Sequence, residues 1–373
     1  MDLKKEIKLS DLLPKRRRKD ASDDQPPAVA KPKAAKKPKA ERNGRAKKLV
    51  GLKIGASQIA AARVVNNGEP QLLQVAREDL DSDIVVAGEL RQPEELAQLL
   101  KRFFRANKLP RQNVRLGISN NRVGVRVFEI AGVADEKQLA NAIRYRAQET
   151  LPIPVEEAVL DYHILGERTD DEGVLHRRVL LVVAYRDLID RYAAACKKAG
   201  LRLAGIDLEA FALLRALAPP PSSEPTSSAV VVVSVGHDRT TFAVSDGQSC
   251  QFTRVLEWGG RSLDGAIAKA LDLSPSEAQP IKLALSLAEP SIPAGLTSEQ
   301  ADQVREAVVA AVHEFARELV SSLQFYQSQP GSLGIGEIIL TGGTAQLLGF
   351  AGELSRLLGV RTRVGDPLGY IKV

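Results

Sequence analysis

Three short turns hold the residues best suited to chemistry. The first is "VGLKIGAS" at 50–57, an apolar run that stops at Gly55 and continues as Ala56, Ser57 and Gln58. A strand that feeds a small glycine-containing turn is a common way to bring backbone N–H groups to a phosphate. Such turns often carry an aspartate that holds a metal ion near the phosphates, and here that position is Lys53. An ammonium has no lone pair to offer a cation. Lys53 can therefore face an anion directly but cannot ligate Mg²⁺. The second turn lies in "VVVSVGHDRTTFAVSDG" at 231–247, which overlays the first at an offset of 181 residues. Gly236 then falls on Gly55, Ser234 on Lys53 and Asp238 on Ser57. The third is Gly342-Gly343-Thr344, between a strand pattern and a helix pattern. Glycines there would let the backbone approach a ligand, with a helix N-terminus favouring anionic or polar groups.

The elements around these turns read as α/β. Strands are expected over "KLVGLKIGA" and twice more up to Leu80, with Asn66-Asn67-Gly68 as a hairpin turn. Residues 92–108 form an amphipathic helix pattern with Leu96, Leu99, Leu100, Phe103 and Phe104 on one face. A strand follows at 113–119, then a helix closed by Pro152 and Pro154. Two strands, 158–166 and 177–185, flank a polar hairpin. Next come a helix at 186–200, a strand at 201–208 and a helix at 209–218. "PPPSSEPTSS" at 219–228 reads as a linker and places a domain boundary near 224. The return of the opening strand–turn–strand pattern after it suggests two related domains facing each other.

Composition narrows the class. The 373 residues, 44% hydrophobic, allow two or three domains with sizeable cores. No apolar run approaches the roughly 20 residues of a membrane helix, and the charged N-terminus lacks a secretory h-region. Cys196 and Cys250 are the only cysteines, which suits a reducing cytoplasm and supplies no disulfide framework or zinc cluster. His163, His176, His237 and His313 have no ligand spacing, and no other enzyme motif is present. The net charge of +6 belongs to the first 48 residues, which hold 17 Lys/Arg against 7 Asp/Glu, while the rest carries a net −4.

That basic segment, 1–47, lacks a hydrophobic pattern and reads as a disordered tail. It could touch anionic membrane by charge alone, or act as a solvated tether. Nucleic acid is not supported, since no interleaved aromatics or recognised module accompany the charge. One stretch stands out: "IKLSDLLP" places Ile7, Leu9, Leu12 and Leu13 before Pro14. A short apolar patch in a charged arm reads either as a linear docking motif or as one frayed turn with no partner.

Two hairpin phosphate turns followed by a Gly-Gly turn resemble the actin-like ATPase fold, a two-domain α/β (ribonuclease H-like) architecture. Within it the chain, from about Lys48 to Pro367, is similar to the PilM family of type IV pilus assembly. The residues that carry this are "VGLKIGAS", "RAQETLPIPVEEAVLDYHILG", "VLLVVAYRDLIDRYAAACKKAGL", "FTRVLEWGGRSLDGAIAKAL" with "SEAQPIKL", and "LTGGTAQLLGFAGELSRLLGV". The middle stretches match a small α+β inserted subdomain, about 120–200, that this family shares with the division protein FtsA. FtsA-like proteins end in an amphipathic membrane helix, whereas this chain ends "DPLGYIKV".

The resemblance implies a first domain at 48–218 and a second at 229–373, with ATP or ADP between them. It places nucleotide contacts on Lys53, Gly55, Ala56, Ser57 and Gln58 of the first turn. From the second turn it takes Gly236, His237, Asp238, Arg239 and Thr240. Gly259, Gly260, Lys282, Gly342, Gly343 and Thr344 complete the set. Family members usually carry an aspartate in each phosphate turn to hold Mg²⁺ and orient the attacking water. Lys53 and Ser234 stand at both positions, which argues against Mg²⁺ and against efficient hydrolysis. Asp238 is the carboxylate that could stand in. The resemblance further implies a cytoplasmic scaffold at the inner face of the cell membrane. It would bind other pilus assembly proteins and the cytoplasmic N-terminal peptide of a PilN-like inner-membrane protein, in a groove beside the inserted subdomain. That peptide has an Ile-Asn-Leu-Leu-Pro character, which "IKLSDLLP" resembles, so the arm could dock on its own chain, on another copy in self-association, or elsewhere. The alternatives are a working Mg-ATP-dependent ATPase that polymerises and an FtsA-like division protein.

Overall fold

Pro93 at the start of its first turn, two glutamates behind it and a stripe of large apolar side chains set helix α1, Pro93–Ala106. Leu96, Leu99, Leu100, Phe103 and Phe104 are all at most 5% exposed, as the spacing predicts. Each contributes about 1.5–3 kcal/mol by leaving water. The computed structural model describes residues 47–150, 154–218, 227–289 and 292–373. The apolar motif at Ile7, Leu9, Leu12, Leu13 and Pro14, the basic tail that carries it, and most of the 219–228 linker lie outside the described residues.

The face of α1 packs on the first of two five-stranded sheets. Its strands are β1 (Lys47–Ile54), β2 (Gln58–Asn66) and β3 (Pro70–Asp79), joined later by β6 (Val114–Ile118) and β10 (Leu203–Leu208). Between β3 and α1 comes a tight hairpin of β4 (Val85–Val86) and β5 (Glu89–Leu90). The sheet order is β10-β6-β1-β2-β3, with β1, β6 and β10 parallel and the two following hairpins antiparallel.

The second sheet repeats this plan. Its strands are β11 (Ser228–Val235), β12 (Thr240–Ser245), β13 (Cys250–Leu256), β14 (Gly334–Thr341) and β15 (Thr362–Val364), in the order β13-β12-β11-β14-β15. The repeat holds residue by residue at the first turn. Ile54 pairs with Ile59 and Gly55 N–H donates to Gln58 O at 2.9 Å. At an offset of 181, Val235 pairs with Thr240 and Gly236 N–H donates to Arg239 O at 2.8 Å. The α/β class and the two-sheet actin-like plan expected from the turns are therefore present.

A three-stranded antiparallel sheet interrupts the first half. It consists of β7 (Val123–Ala131), β8 (Ala158–Thr169) and β9 (Leu175–Tyr185) in the order β7-β9-β8. Helix α2, Glu136–Thr150, places Leu139, Ile143 and Ala147 in its core with Val179, Leu181 and Val183. Helix α3, Arg186–Lys198, then returns to pack on α1. Arg178 Nη2 on β9 donates to Gln251 Oε1 on β13 at 2.5 Å, so this small sheet touches the second half.

In the second half, α5 (Gly260–Leu271), α6 (Pro275–Ala284), the 30-residue α7 (Ser298–Gln327) and α8 (Phe350–Leu358) cover the sheet. Trp258 stacks on Phe315 at 4.1 Å, and Phe315 packs on Phe350 at 6.2 Å. Helix α4, Glu209–Leu217, follows β10 and packs on β11 and β12 of the other sheet. After β15 the chain crosses back: Lys372 N–H donates to Pro70 O at 2.9 Å and Leu72 N–H donates to Lys372 O at 2.7 Å. No helix among the described residues is long and apolar enough to cross a membrane.

Candidate functional site

The ends of β1 and β11 face each other across a cavity of about 320 Å³. Fourteen of the residues expected there line it: Lys53, Gly55, Ala56, Ser57 and Gln58; Gly236, His237, Asp238 and Arg239; Gly260, Lys282, Gly342, Gly343 and Thr344. Thr240 and Gly259 stand behind the wall. Thr240 is fully buried and its Oγ1 donates to Trp258 O at 2.8 Å. Gly259 lies where a Cβ would come within 2.6 Å of His237 O, so its role is to let α5 approach the second turn.

Close approach of neighbouring atoms also accounts for Gly342 and Gly260. A Cβ on Gly342, whose φ is +91°, would sit 2.3 Å from Val235 O. A Cβ on Gly260 would sit 2.7 Å from Thr344 Oγ1. Thr344 Oγ1 and Gly260 N–H both donate to Gly236 O, at 3.0 and 2.9 Å, which welds the second turn to its neighbours. One expectation is corrected here. The turn at Gly342–Thr344 does not open a helix; a short 3-10 turn, Thr344–Gln346, follows it. Helix α8 starts only at Phe350, after Gly349 in a left-handed conformation (φ +84°), so its N-terminal amides begin several residues beyond the turn.

The charges in the cavity have definite partners. Lys53 Nζ lies 2.8 Å from Glu209 Oε1, and Ser234 Oγ donates to the same oxygen at 3.3 Å. Both residues that replace the expected aspartates thus converge on one carboxylate at the start of α4. Lys282 Nζ is held 2.7 Å from the buried Asp264 carboxylate and donates to Gly260 O at 3.1 Å. Burial, with the nearby Lys282 charge, holds His237 below the usual imidazole value. Burial also lowers the Arg239 guanidinium from its ordinary value, and it remains a cation.

Sequence reasoning missed several lining residues. Glu209 opens the helix expected at 209–218, and nothing in its local sequence points it at the cleft. Asn120 and Tyr192 are remote in sequence but meet at one carbonyl: Asn120 Nδ2 and Tyr192 Oη donate to Gly88 O at 2.8 and 3.3 Å. Ser119 Oγ and Thr241 Oγ1 lie 2.7 Å apart across the two halves. Gly88 itself lies in the β4–β5 turn, where Ala87 and Gly88 both have positive φ (51° and 67°). That pair marks a type I′ hairpin, and Ala-Gly is a weak signal for one.

Mg²⁺ fits these residues poorly. Among the described residues, the carboxylates lining the cavity are Glu209 and Asp238. Glu209 already holds an ammonium, which competes with a divalent cation for the same oxygen. A phosphate-bearing ligand fits better. The cavity is lined by Lys53, Arg239 and Lys282, together with glycines that let backbone come close.

Two facing sheets of identical strand order with a cleft at their strand ends define an actin-like ATPase fold. The chain belongs to the family described as "Type IV pilus assembly protein PilM", whose model matches residues 51–373. Among solved structures it is similar to a chain of the PilM–PilN type IV pilus biogenesis complex. The TM-score is 0.72 and the identity 24%, covering 87% of this chain and 90% of that one. It is also similar to ethanolamine utilization protein EutJ from Carboxydothermus hydrogenoformans, with a TM-score of 0.52 and 16% identity over 85% of this chain and 84% of that one. Among curated proteins, cell division protein FtsA of Escherichia coli K12 is 25% identical over 361 residues, 86% of this chain and 84% of that protein.

Proposed function

We propose that the chain is a scaffold of the type IV pilus assembly machinery. Its partner is the cytoplasmic N-terminal segment of a PilN-like inner-membrane protein, and its cleft binds ATP or ADP with little turnover. Family membership and the likeness to a chain of the PilM–PilN complex support the partner. A groove beside the three-stranded sheet is the expected seat, and binding there would hold the protein at the inner face of the membrane. The actin-like fold and the phosphate-compatible cleft support the nucleotide. The observation that carries the low turnover is the Lys53–Glu209 pair at 2.8 Å, which spends the cleft's best metal carboxylate on an internal cation.

The experiment is a calorimetric titration of the full chain with a peptide of the PilN-like protein's cytoplasmic N-terminus, alongside phosphate release from ATP. Saturable peptide binding with negligible phosphate release is expected. Absence of peptide binding would sink the scaffold reading, and sustained ATP turnover would favour a cycling, polymerising ATPase.

A further inference from the structure

Arg239 occupies an unusual setting. It is 8% exposed, and its Nε and Nη1 have no hydrogen-bond partner among the described residues. The side chain leaves the second turn and lies against Gly88, where a Cβ would come within 2.0 Å of Nη1. Arg239 and Gly88 both line the cavity, and Nε and Nη1 lie closed off just behind its surface. The closest carboxylate, Asp238, is 4.0 Å from Nε, too far for a hydrogen bond. A guanidinium taken out of water is costly to leave without acceptors. Nε and Nη1 are sealed beneath the wall, so the cation acts on the cavity through its field, which favours an anion there.

Lys53 reaches the cavity from the first turn. Its side chain is 50% exposed, so it can turn from Glu209 toward a ligand or bridge the two. The two cations therefore come from opposite halves. Ser234 stands at the other position where a metal carboxylate is expected and offers only a hydroxyl.

Resting on the nucleotide-binding reading above, we propose that the cleft holds the phosphate chain of a nucleoside di- or triphosphate without a divalent cation, with Arg239 and Lys53 as its countercharges. The guanidinium acts as a fixed charge behind the wall, and the exposed ammonium can contact a phosphate oxygen directly. Together they neutralise what a metal ion neutralises elsewhere. The electrostatics are fixed in the covalent chain, so occupancy does not follow the concentration of free Mg²⁺.

The test titrates the full chain with a fluorescent ATP analogue carrying an N-methylanthraniloyl group, in Mg²⁺ and in EDTA, with ATP and inorganic tripolyphosphate as competitors. The expected Kd values agree within about twofold in the two buffers, since binding energy comes from residues that do not need the metal. Arg239→Gln is expected to weaken binding by about tenfold in both buffers, through loss of a partly buried positive charge beside the phosphates. Lys53→Asp is expected to make binding depend on Mg²⁺, a change that a merely structural role for Lys53 would not produce. If Arg239→Gln does not fold, the unmodified chain and Lys53→Asp still decide. Binding that requires Mg²⁺ overturns the inference while leaving the nucleotide reading intact. No binding in either buffer overturns the nucleotide reading itself. Tripolyphosphate binding as tightly as ATP overturns the assignment to a nucleoside.

Discussion

Lys53 of the first turn and Ser234 of the second, 181 residues apart, touch the same oxygen of Glu209, at 2.8 and 3.3 Å. Their equivalent places in two repeated hairpins aim them at a common point between the sheets. A carboxylate at either position would lie beside Glu209 and repel it unless a cation stood between them. With a lysine and a serine the cluster is already balanced.

Hydrolysis follows from this balance. The native chain is expected to release phosphate from ATP at a rate indistinguishable from buffer. Lys53→Asp combined with Ser234→Asp restores carboxylates at both turns and frees Glu209, and should raise Mg²⁺-dependent release at least about tenfold, within the range such electrostatic groups contribute. Equal rates for the native chain and the double variant would show that the two positions do not control turnover.

Gly88 supports the opposite wall. Its φ of +67° and the Arg239 side chain leave no room for a Cβ. Gly88→Ala is expected to cost about 1–3 kcal/mol in urea unfolding, as forced left-handed backbone does. It should also displace Arg239 and weaken nucleotide binding. Unchanged stability and binding together would mean that the hairpin moves aside freely.

His237 makes the second turn sensitive to acid. Its folded pKa lies below the unfolded value of about 6.5 because burial disfavours the imidazolium. The unfolded chain therefore binds a proton first as pH falls. Stability is full above about pH 6.5 and declines as pH drops through the lower folded value. Thermal unfolding of native and His237→Asn chains between pH 7.5 and 5 checks this, and the extra decline of the native protein should vanish in the variant.

The N-terminal apolar patch has its own test. A peptide of residues 1–16 is expected to bind a chain lacking its first 46 residues weakly and with little salt dependence, since four aliphatic contacts at about 1.5–3 kcal/mol each barely exceed the ordering cost. It should compete with the PilN-like segment. Binding that survives Leu12→Ala with Leu13→Ala, or that fades with salt, would leave the arm a charged tether.

Much of the fold was legible because it rests on local patterns. The Leu96–Phe104 stripe and the two Gly-containing hairpins announce their structures within a few residues. Strand β7 went unread although Val123, Val125 and Val127 alternate, because the run is short and Phe128, Glu129 and Ile130 reverse the alternation. The delayed start of α8 depends on the left-handed Gly349, whose Cβ would come within 2.3 Å of Ala288 N, a contact no local pattern reveals. The same holds for the cleft. The glycine turns can be read, but Glu209, Asn120 and Tyr192 are polar groups at element ends or on helices, and only the tertiary fold brings them together.

The return of the chain to β3 has a topological consequence. Lys47 pairs with Asn66, and Lys372 lies beside Pro70 and Gln71, so both ends of the described chain reach the same corner of the first sheet. Three strand spacings separate them, about 15 Å. That corner is the far end of β1 from Gly55, about 25 Å away along eight residues of strand. In a chain lacking residues 1–46, joining Val373 to Lys47 with a short linker and opening the backbone elsewhere would yield a circular permutant that keeps every sheet, with the cleft left untouched by the new join.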